Sequence, residues 1–268
     1  MTNSTGHLAQ IITLTMFLII APSLPPLIAA AVKPATVREL SEAYDAARRA
    51  SLAGDHQTAM NLLLPNRQRG PASPTIDFAL GTAAARLERP GEALAYLESS
   101  VIMAPRNRDT RANWTLVHES LPDASRTSEA FPQRWHSFLS PVEWFLTAAF
   151  TYISGWAMLS VGILNRGPDR QPGMVRGAGV LLGVSVVLTV IFLLSRSHAT
   201  RGAYVSSPRP TALRSGPGTG FKALLELSPG SRVQLETIRQ DSGYYVILLP
   251  GGGSGYIPAS DLTPVSVP

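Results

Sequence analysis

The chain has 268 residues and a net charge of +5, and only 15% of its residues are charged, against roughly 25% in ordinary soluble domains. The arginines (Arg48 and Arg49, Arg67 and Arg69, Arg166, Arg170 and Arg176) are scattered, with no basic stripe among aromatics, so nucleic acid is not an expected partner. Cysteine is absent, which excludes disulfides, thiolate metal sites and a cysteine nucleophile.

The first apolar run is Ile11 to Ala21, followed by Pro22, Pro25 and Pro26. At about 1.5 Å per residue it is too short for a hydrocarbon core of about 30 Å. The prolines lack the amide hydrogen that a continuing helix needs. Ala29 to Ala31 supply the small residues that a signal peptidase accepts. Residues 1–31 are therefore expected to be a secretory signal, although no Lys or Arg precedes the run; the alternative is an uncleaved anchor. Either version puts the next segment outside the cytoplasm.

Residues 35–121 read as amphipathic helices in two similar layouts, broken at Gly54-Asp55 and around Arg89-Pro90-Gly91. In the second, Leu80-Gly81 falls in the first helix, Ala93 and Leu97 in the second, and Pro105 closes the unit. These residues resemble a tetratricopeptide repeat. Stepping back by that family's repeat length of about 34 residues aligns Ala59, Leu63 and Pro71, with Gly54 at the turn. Small residues such as Gly81 and Ala93 let paired helices approach, and Leu97 fills the groove between them. The first copy has Ala46-Ala47 for the Leu-Gly pair, and Ala50 where a large aromatic is common. "DTRANWTLVHESL" resembles a further opening helix or a cap; a plain helical hairpin bundle is the alternative to repeats. Arg38, Tyr44, Arg48, Arg86 and Arg111 are candidates to line a concave face, or else ordinary solvated side chains. Asn113-Trp114-Thr115 is formally a glycosylation sequon. Residues 122–141 read as a linker.

Val142 to Leu164 and Gly177 to Ser195 reach membrane-spanning length, with no charge after Glu143. Twelve Val, Leu, Ile or Phe residues in the second of these favour insertion by roughly 4–7 kcal/mol. Gly179 and Gly183 make a G-x-x-x-G face that permits close backbone approach or simply meets lipid. Trp135 and Trp144 fit an interfacial belt. The loop 165–176, with Arg166, Arg170 and Arg176 against Asp169, is expected to be cytoplasmic by the positive-inside rule. Both flanking regions then face outward.

From Gly202 short β-prone runs alternate with turn residues, as in a small all-β barrel. Glycines 216, 218 and 220 suit a wide loop, and Pro229-Gly230 a tight turn before Val233, Leu235 and Thr237 on one strand face. Ala203-Tyr204-Val205, Leu213-Arg214-Ser215-Gly216-Pro217, Leu225 to Gly230, Val233, Tyr244, Val246, Gly255-Tyr256-Ile257 and Leu262 resemble bacterial SH3-like (SH3b) domains over residues 202–268. Tyr244 replaces the usual Trp, and "LPGGGSG" lengthens a hairpin. The resemblance implies binding of cell-wall peptides or proline-containing partners, with Tyr204, Tyr244 and Tyr256 as candidate groove aromatics or as barrel packing.

The expected fold class is thus a multi-domain membrane protein: all-α tetratricopeptide-like repeats, a two-helix transmembrane hairpin and a small all-β SH3-like barrel. This order resembles the BatE family of bacterial aerotolerance operons. That resemblance implies protein partners, namely von Willebrand factor A-type membrane proteins and indirectly a MoxR-type AAA+ ATPase, at the periplasmic face of the inner membrane. The five histidines lie far apart, and no H-E-x-x-H, phosphate loop or nucleophile elbow occurs, so neither catalysis nor a cofactor or metal is expected. Two functions stay open: a membrane-anchored scaffold, or a cell-wall sensor whose barrel binds peptidoglycan.

Overall fold

The computed structural model describes residues 37–69, 73–122, 138–164, 172–236, 243–249 and 253–265. The expected signal or anchor (1–31) lies outside the described residues, as do 123–137 of the expected linker and 165–171 of the expected cytoplasmic loop.

Among the described residues five helices come first: α1 (Val37–Leu52), α2 (His56–Arg69), α3 (Pro74–Arg86), α4 (Pro90–Met103) and α5 (Arg108–Ser120). Their starts have local causes. Asp55 Oδ1 accepts the Thr58 amide at 3.0 Å ahead of α2. Proline, whose missing N–H costs nothing in a first turn, opens α3 and α4. The Asn107 side chain caps α5 through the amides of Asp109 and Thr110. The turns within the two helix pairs match: Gly54 has φ +83° and Glu88, its counterpart, φ +57°. Glycine adopts that left-handed conformation freely, whereas Glu88 carries a Cβ there.

Counterpart positions also pack alike, with Ala59 and Leu63 of α2 and Ala93 and Leu97 of α4 all in the core. Leu80 is fully buried and Pro105 is buried. A Cβ at Gly81 would lie 2.6 Å from Leu97 Cγ and 3.1 Å from the Ala93 carbonyl, so α3 and α4 meet at their glycine–alanine surface. Helix α4 is covered all round, every residue from Ala93 to Val101 being buried. A helix apolar on one stripe needs one neighbour; α4 has α3, α5 and a sheet. Its polar residues are satisfied locally, Ser99 Oγ donating to the Ala95 carbonyl and Ser100 Oγ to the Pro74 carbonyl, each at 2.7 Å.

Two long helices follow, α6 (Pro141–Leu164) and α7 (Pro172–Thr200), packed against each other. Both are long and apolar enough to cross a membrane, over Pro141–Ile163 and Gly173–Leu194. Ser140 and Glu143 close a capping box, the Ser140 amide donating to Glu143 Oε2 at 2.8 Å and the Glu143 amide to Ser140 Oγ at 3.3 Å. The helices approach where Gly155 meets Leu182 and Gly177 meets Met158, and Ser185 Oγ donates to the Ala148 carbonyl at 3.1 Å. Gly179 and Gly183 take no part: a Cβ on either would meet nothing within 4 Å. Their G-x-x-x-G face points away from α6, a correction to close approach within this pair.

The remaining described residues form an antiparallel seven-stranded sheet of order β3-β2-β6-β5-β4-β1-β7: β1 (Gly202–Val205), β2 (Thr211–Arg214), β3 (Ala223–Leu227), β4 (Arg232–Leu235), β5 (Tyr244–Leu248), β6 (Ser254–Pro258) and β7 (Leu262–Pro264). Inward positions alternate as a pleat requires, and Ala203, Val205, Leu213, Val233, Leu235, Ile247, Ile257 and Leu262 make its core. Thr237 and the glycines at 251 and 252 lie outside the described residues. Only Arg201 separates α7 from β1, and its carbonyl accepts the Leu235 amide at 2.7 Å.

Residues 35–268 form one compact unit, so the helical region and the sheet are not separate bodies. Leu94 and Leu97 of α4, Trp114 of α5, Leu121, Tyr204 of β1 and Val265 share one apolar cluster. Both regions therefore sit at the same end of the α6–α7 pair, where α6 begins and α7 ends.

Candidate functional site

The joint between helices and sheet is built around a buried carboxylate. Glu98 on α4 is 2% exposed, yet it has three donors from the sheet. The Tyr204 hydroxyl donates to Oε2 at 2.5 Å, and Arg232 donates Nε to Oε2 at 3.2 Å and Nη2 to Oε1 at 2.9 Å. Removing a carboxylate from water is costly unless paired and hydrogen-bonded, and here both conditions are met. Burial first, then the Glu98 carboxylate beside it, pushes the Tyr204 phenol well above its ordinary range; Arg232 and a Trp114 hydrogen bond act in the opposite sense.

Two glycines allow this docking. A Cβ at Gly91, in the first turn of α4, would run into the Val205 carbonyl, which is backbone and cannot swing aside. Gly230 has φ +80°, donates its amide to the Val205 carbonyl at 2.8 Å, and leaves room for the Leu121 side chain.

Tyr204 is therefore not a groove aromatic. Its ring is 1% exposed and faces α4, because β1 presents Ala203 and Val205 to the sheet core and Tyr204 to the helices. Tyr244 and Tyr256 are different. The register sets Val246 opposite Tyr256 and Tyr244 opposite Pro258, so both tyrosines emerge on the face away from Ile247 and Ile257, half-buried. Arg214 is paired with Tyr256 on the same face, and its guanidinium Nη1 donates to the carbonyls of Thr219 (3.0 Å) and Phe221 (2.9 Å). Those bonds hold the loop after β2 in place, with the Phe221 ring against Gly216. The two tyrosines take diagonal positions on one sheet face beside a braced loop, and each offers an apolar ring with a polar tip there.

On the helical side, Arg67, Asp77 and Tyr96 gather from α2, α3 and α4. Arg67 Nε donates to Asp77 Oδ1 at 2.7 Å, and its guanidinium carbon lies 4.7 Å from the Tyr96 ring centre. Burial raises the Asp77 carboxyl above its ordinary value, with Arg67 pulling the other way. Of the expected groove residues, Arg38 is exposed and pairs with Glu42, Tyr44 packs on the helical core, Arg48 and Arg86 are exposed, and Arg111 donates to the Pro105 carbonyl. They do not converge on one site. Asn113 of the sequon is half-buried and donates to Thr82 Oγ1 at 3.3 Å. Among the described residues no group of three or more His, Asp or Glu is placed to hold a metal ion.

Glu98, Arg232, Gly91 and Gly230 were not singled out as a joint by their sequence. Glu98 sits in "YLESS", which reads as an ordinary helix face, and its partners lie more than a hundred residues away. These features define a class, a helix-and-sheet head carried on a pair of apolar helices. No protein-family model matches the chain, and no curated protein does.

Proposed function

We propose that this chain is a membrane-anchored, non-enzymatic scaffold, with tetratricopeptide-like helices and an SH3-like barrel fused into one head on the periplasmic face of a bacterial inner membrane. The observation that carries the reading is the joint of Glu98 with Tyr204 and Arg232. It unites two regions of the kinds used for protein contacts, at one end of two helices of spanning length. Following the resemblance to the BatE family, the expected partners are von Willebrand factor A-type membrane proteins, with a MoxR-type AAA+ ATPase reached indirectly.

Because the chain has no cysteine, single cysteines at exposed Ala112 and Ser260 report topology directly. In intact spheroplasts both should react with a membrane-impermeant maleimide, and the full chain in mild detergent should co-purify with membrane proteins of the expected class. Labelling of either site only after lysis would remove the periplasmic reading. A second reading rests on Tyr244 and Tyr256, whose half-exposed face suits cell-wall peptide. Sedimentation of the full chain with purified sacculi, lost in Tyr244→Ala/Tyr256→Ala, would favour a wall sensor over the scaffold.

A further inference from the structure

The helical region touches the start of α6 through one ion pair. Arg106, in the turn between α4 and α5, donates Nη1 to Glu143 Oε1 at 2.6 Å. Glu143 lies in the first turn of α6, where the run of spanning length begins at Pro141. Its other carboxylate oxygen accepts the Ser140 amide, so the acceptor is fixed by its own helix. Two more guanidiniums gather at the same turn. Arg108 opens α5 and is exposed, and Arg111 folds back to donate Nη2 to the Pro105 carbonyl at 2.6 Å. The Arg106 side chain stays 67% exposed, so its planar fork is engaged at one edge and open to solvent beyond it.

The level of this turn indicates what meets it. When α6 crosses a bilayer, a residue in its first turn lies among the lipid headgroups, because the hydrocarbon core begins with the apolar run. The Arg106–Glu143 bond then holds the α4–α5 turn at the same level. Three arginines stand there against two carboxylates, Glu143 and Asp109. Glu143 is taken up by Arg106 and the Ser140 amide, and Asp109 sits in the first turn of α5, where the helix dipole offsets its charge. Phe138, just ahead of α6, is 72% exposed. An aromatic ring and guanidiniums at one level suit a lipid surface, the ring entering the interface and the guanidiniums taking phosphate oxygens in pairs.

We infer that Arg106, Arg108 and Arg111 form a docking site for the headgroup phosphate of an anionic phospholipid, at the bilayer surface from which α6 starts. The site rests on the reading that α6 and α7 cross a bilayer, and holds whichever side of it the head faces. Each basic residue near an anionic leaflet strengthens the attraction about fivefold. The full chain is reconstituted in vesicles of phosphatidylcholine and phosphatidylglycerol in equal amounts, extracted in mild detergent, and weighed with its bound lipid by native mass spectrometry. Retention of phosphatidylglycerol over phosphatidylcholine is expected.

Arg108→Gln/Arg111→Gln, which leaves the Arg106–Glu143 bond in place, should reduce that preference about twentyfold. Arg108→Lys/Arg111→Lys keeps the charge and should keep most of the preference, which separates the site from a change in folding. Arg38→Gln/Arg48→Gln, at two exposed positions on α1, removes the same net charge and should leave the preference unchanged. Equal retention of the two lipids, or a loss as large in the α1 variant as at the turn, overturns the inference. So does a preference that inorganic phosphate abolishes, which would assign the arginines to a free anion. Carbonate extraction of the same vesicles keeps the two readings apart. A chain that stays with the lipid but shows no preference refutes the site alone, and a chain released by carbonate refutes the membrane spans with it.

Discussion

Replacing Glu98 by alanine tests what holds the helices to the sheet. The change removes the acceptor of the Tyr204 hydroxyl, in a ring only 1% exposed. A buried hydroxyl left without an acceptor costs about 1–3 kcal/mol. Arg232 also loses its counter-charge, but its side chain is 23% exposed, so water takes over part of that role and the added loss is about 1 kcal/mol. The expected total is about 3 kcal/mol, near the lower end of the range for breaking a buried pair. Glu98→Gln keeps an acceptor while losing the charge, and Tyr204→Phe removes the hydroxyl that donates to Glu98; each should cost about 1–2 kcal/mol. The assay is hydrogen exchange on the full chain in mild detergent, followed at the Val205 and Gly230 amides, which are bonded across the turn beside the joint. A loss of 3 kcal/mol in local opening corresponds to about a hundredfold drop in protection. Amides in α1 and α2 should change little. Undiminished protection at Val205 and Gly230 in Glu98→Ala would refute the argument that the carboxylate secures the joint.

Gly91→Ala should weaken the same joint by about 1–3 kcal/mol through overpacking on the Val205 carbonyl, although alanine favours the helix by about 1 kcal/mol; faster proteolysis between β1 and β2 checks the sign. Glu88→Gly should raise the thermal midpoint, because relief of the left-handed backbone is worth about 1 kcal/mol; an unchanged midpoint would mean that the turn is unstrained. Asp77 has a carboxyl raised by burial, so the folded chain holds that proton more tightly than the unfolded one. Its contribution is then fullest below the ordinary value of 3.8 and declines as pH rises through the raised value. Asp77→Asn should flatten the fall in stability across that acid window in a pH series of denaturant melts, leaving the part due to Glu92, which burial raises in the same sense. A slope unchanged by the substitution would count against the buried state of Asp77.

Where the sequence carried a local signal, the elements could be read from it. The Arg89-Pro90-Gly91 break ahead of α4, glycine at the first helical turn, and uncharged runs of spanning length each act within a few residues. The tyrosine face was half legible for the same reason. Alternation in β5 and β6 fixes which side Tyr244 and Tyr256 take, while the same pattern in β1 says only that Tyr204 leaves the sheet core. What meets it depends on α4, far away in sequence. Glu98, Ser99 and Ser100 are the sharpest case: three polar residues in a row read as a wet helix face, yet all are buried. Pairing with Tyr204, Arg232 and the Pro74 carbonyl settles their burial, and no window along the chain contains those partners. The uncovered Gly179–Gly183 stripe shows the converse, since a motif gives spacing without naming the helix it will meet.

The single residue between α7 and β1 has a consequence for reach. One residue spans at most about 3.6 Å, so the sheet has no tether on which to swing away from the end of α7. Its position relative to the end of α7 follows from the helix itself. A tilt or rotation of α7 is passed straight to β1 and, through the sheet's pairing, to the strands that carry Tyr244 and Tyr256.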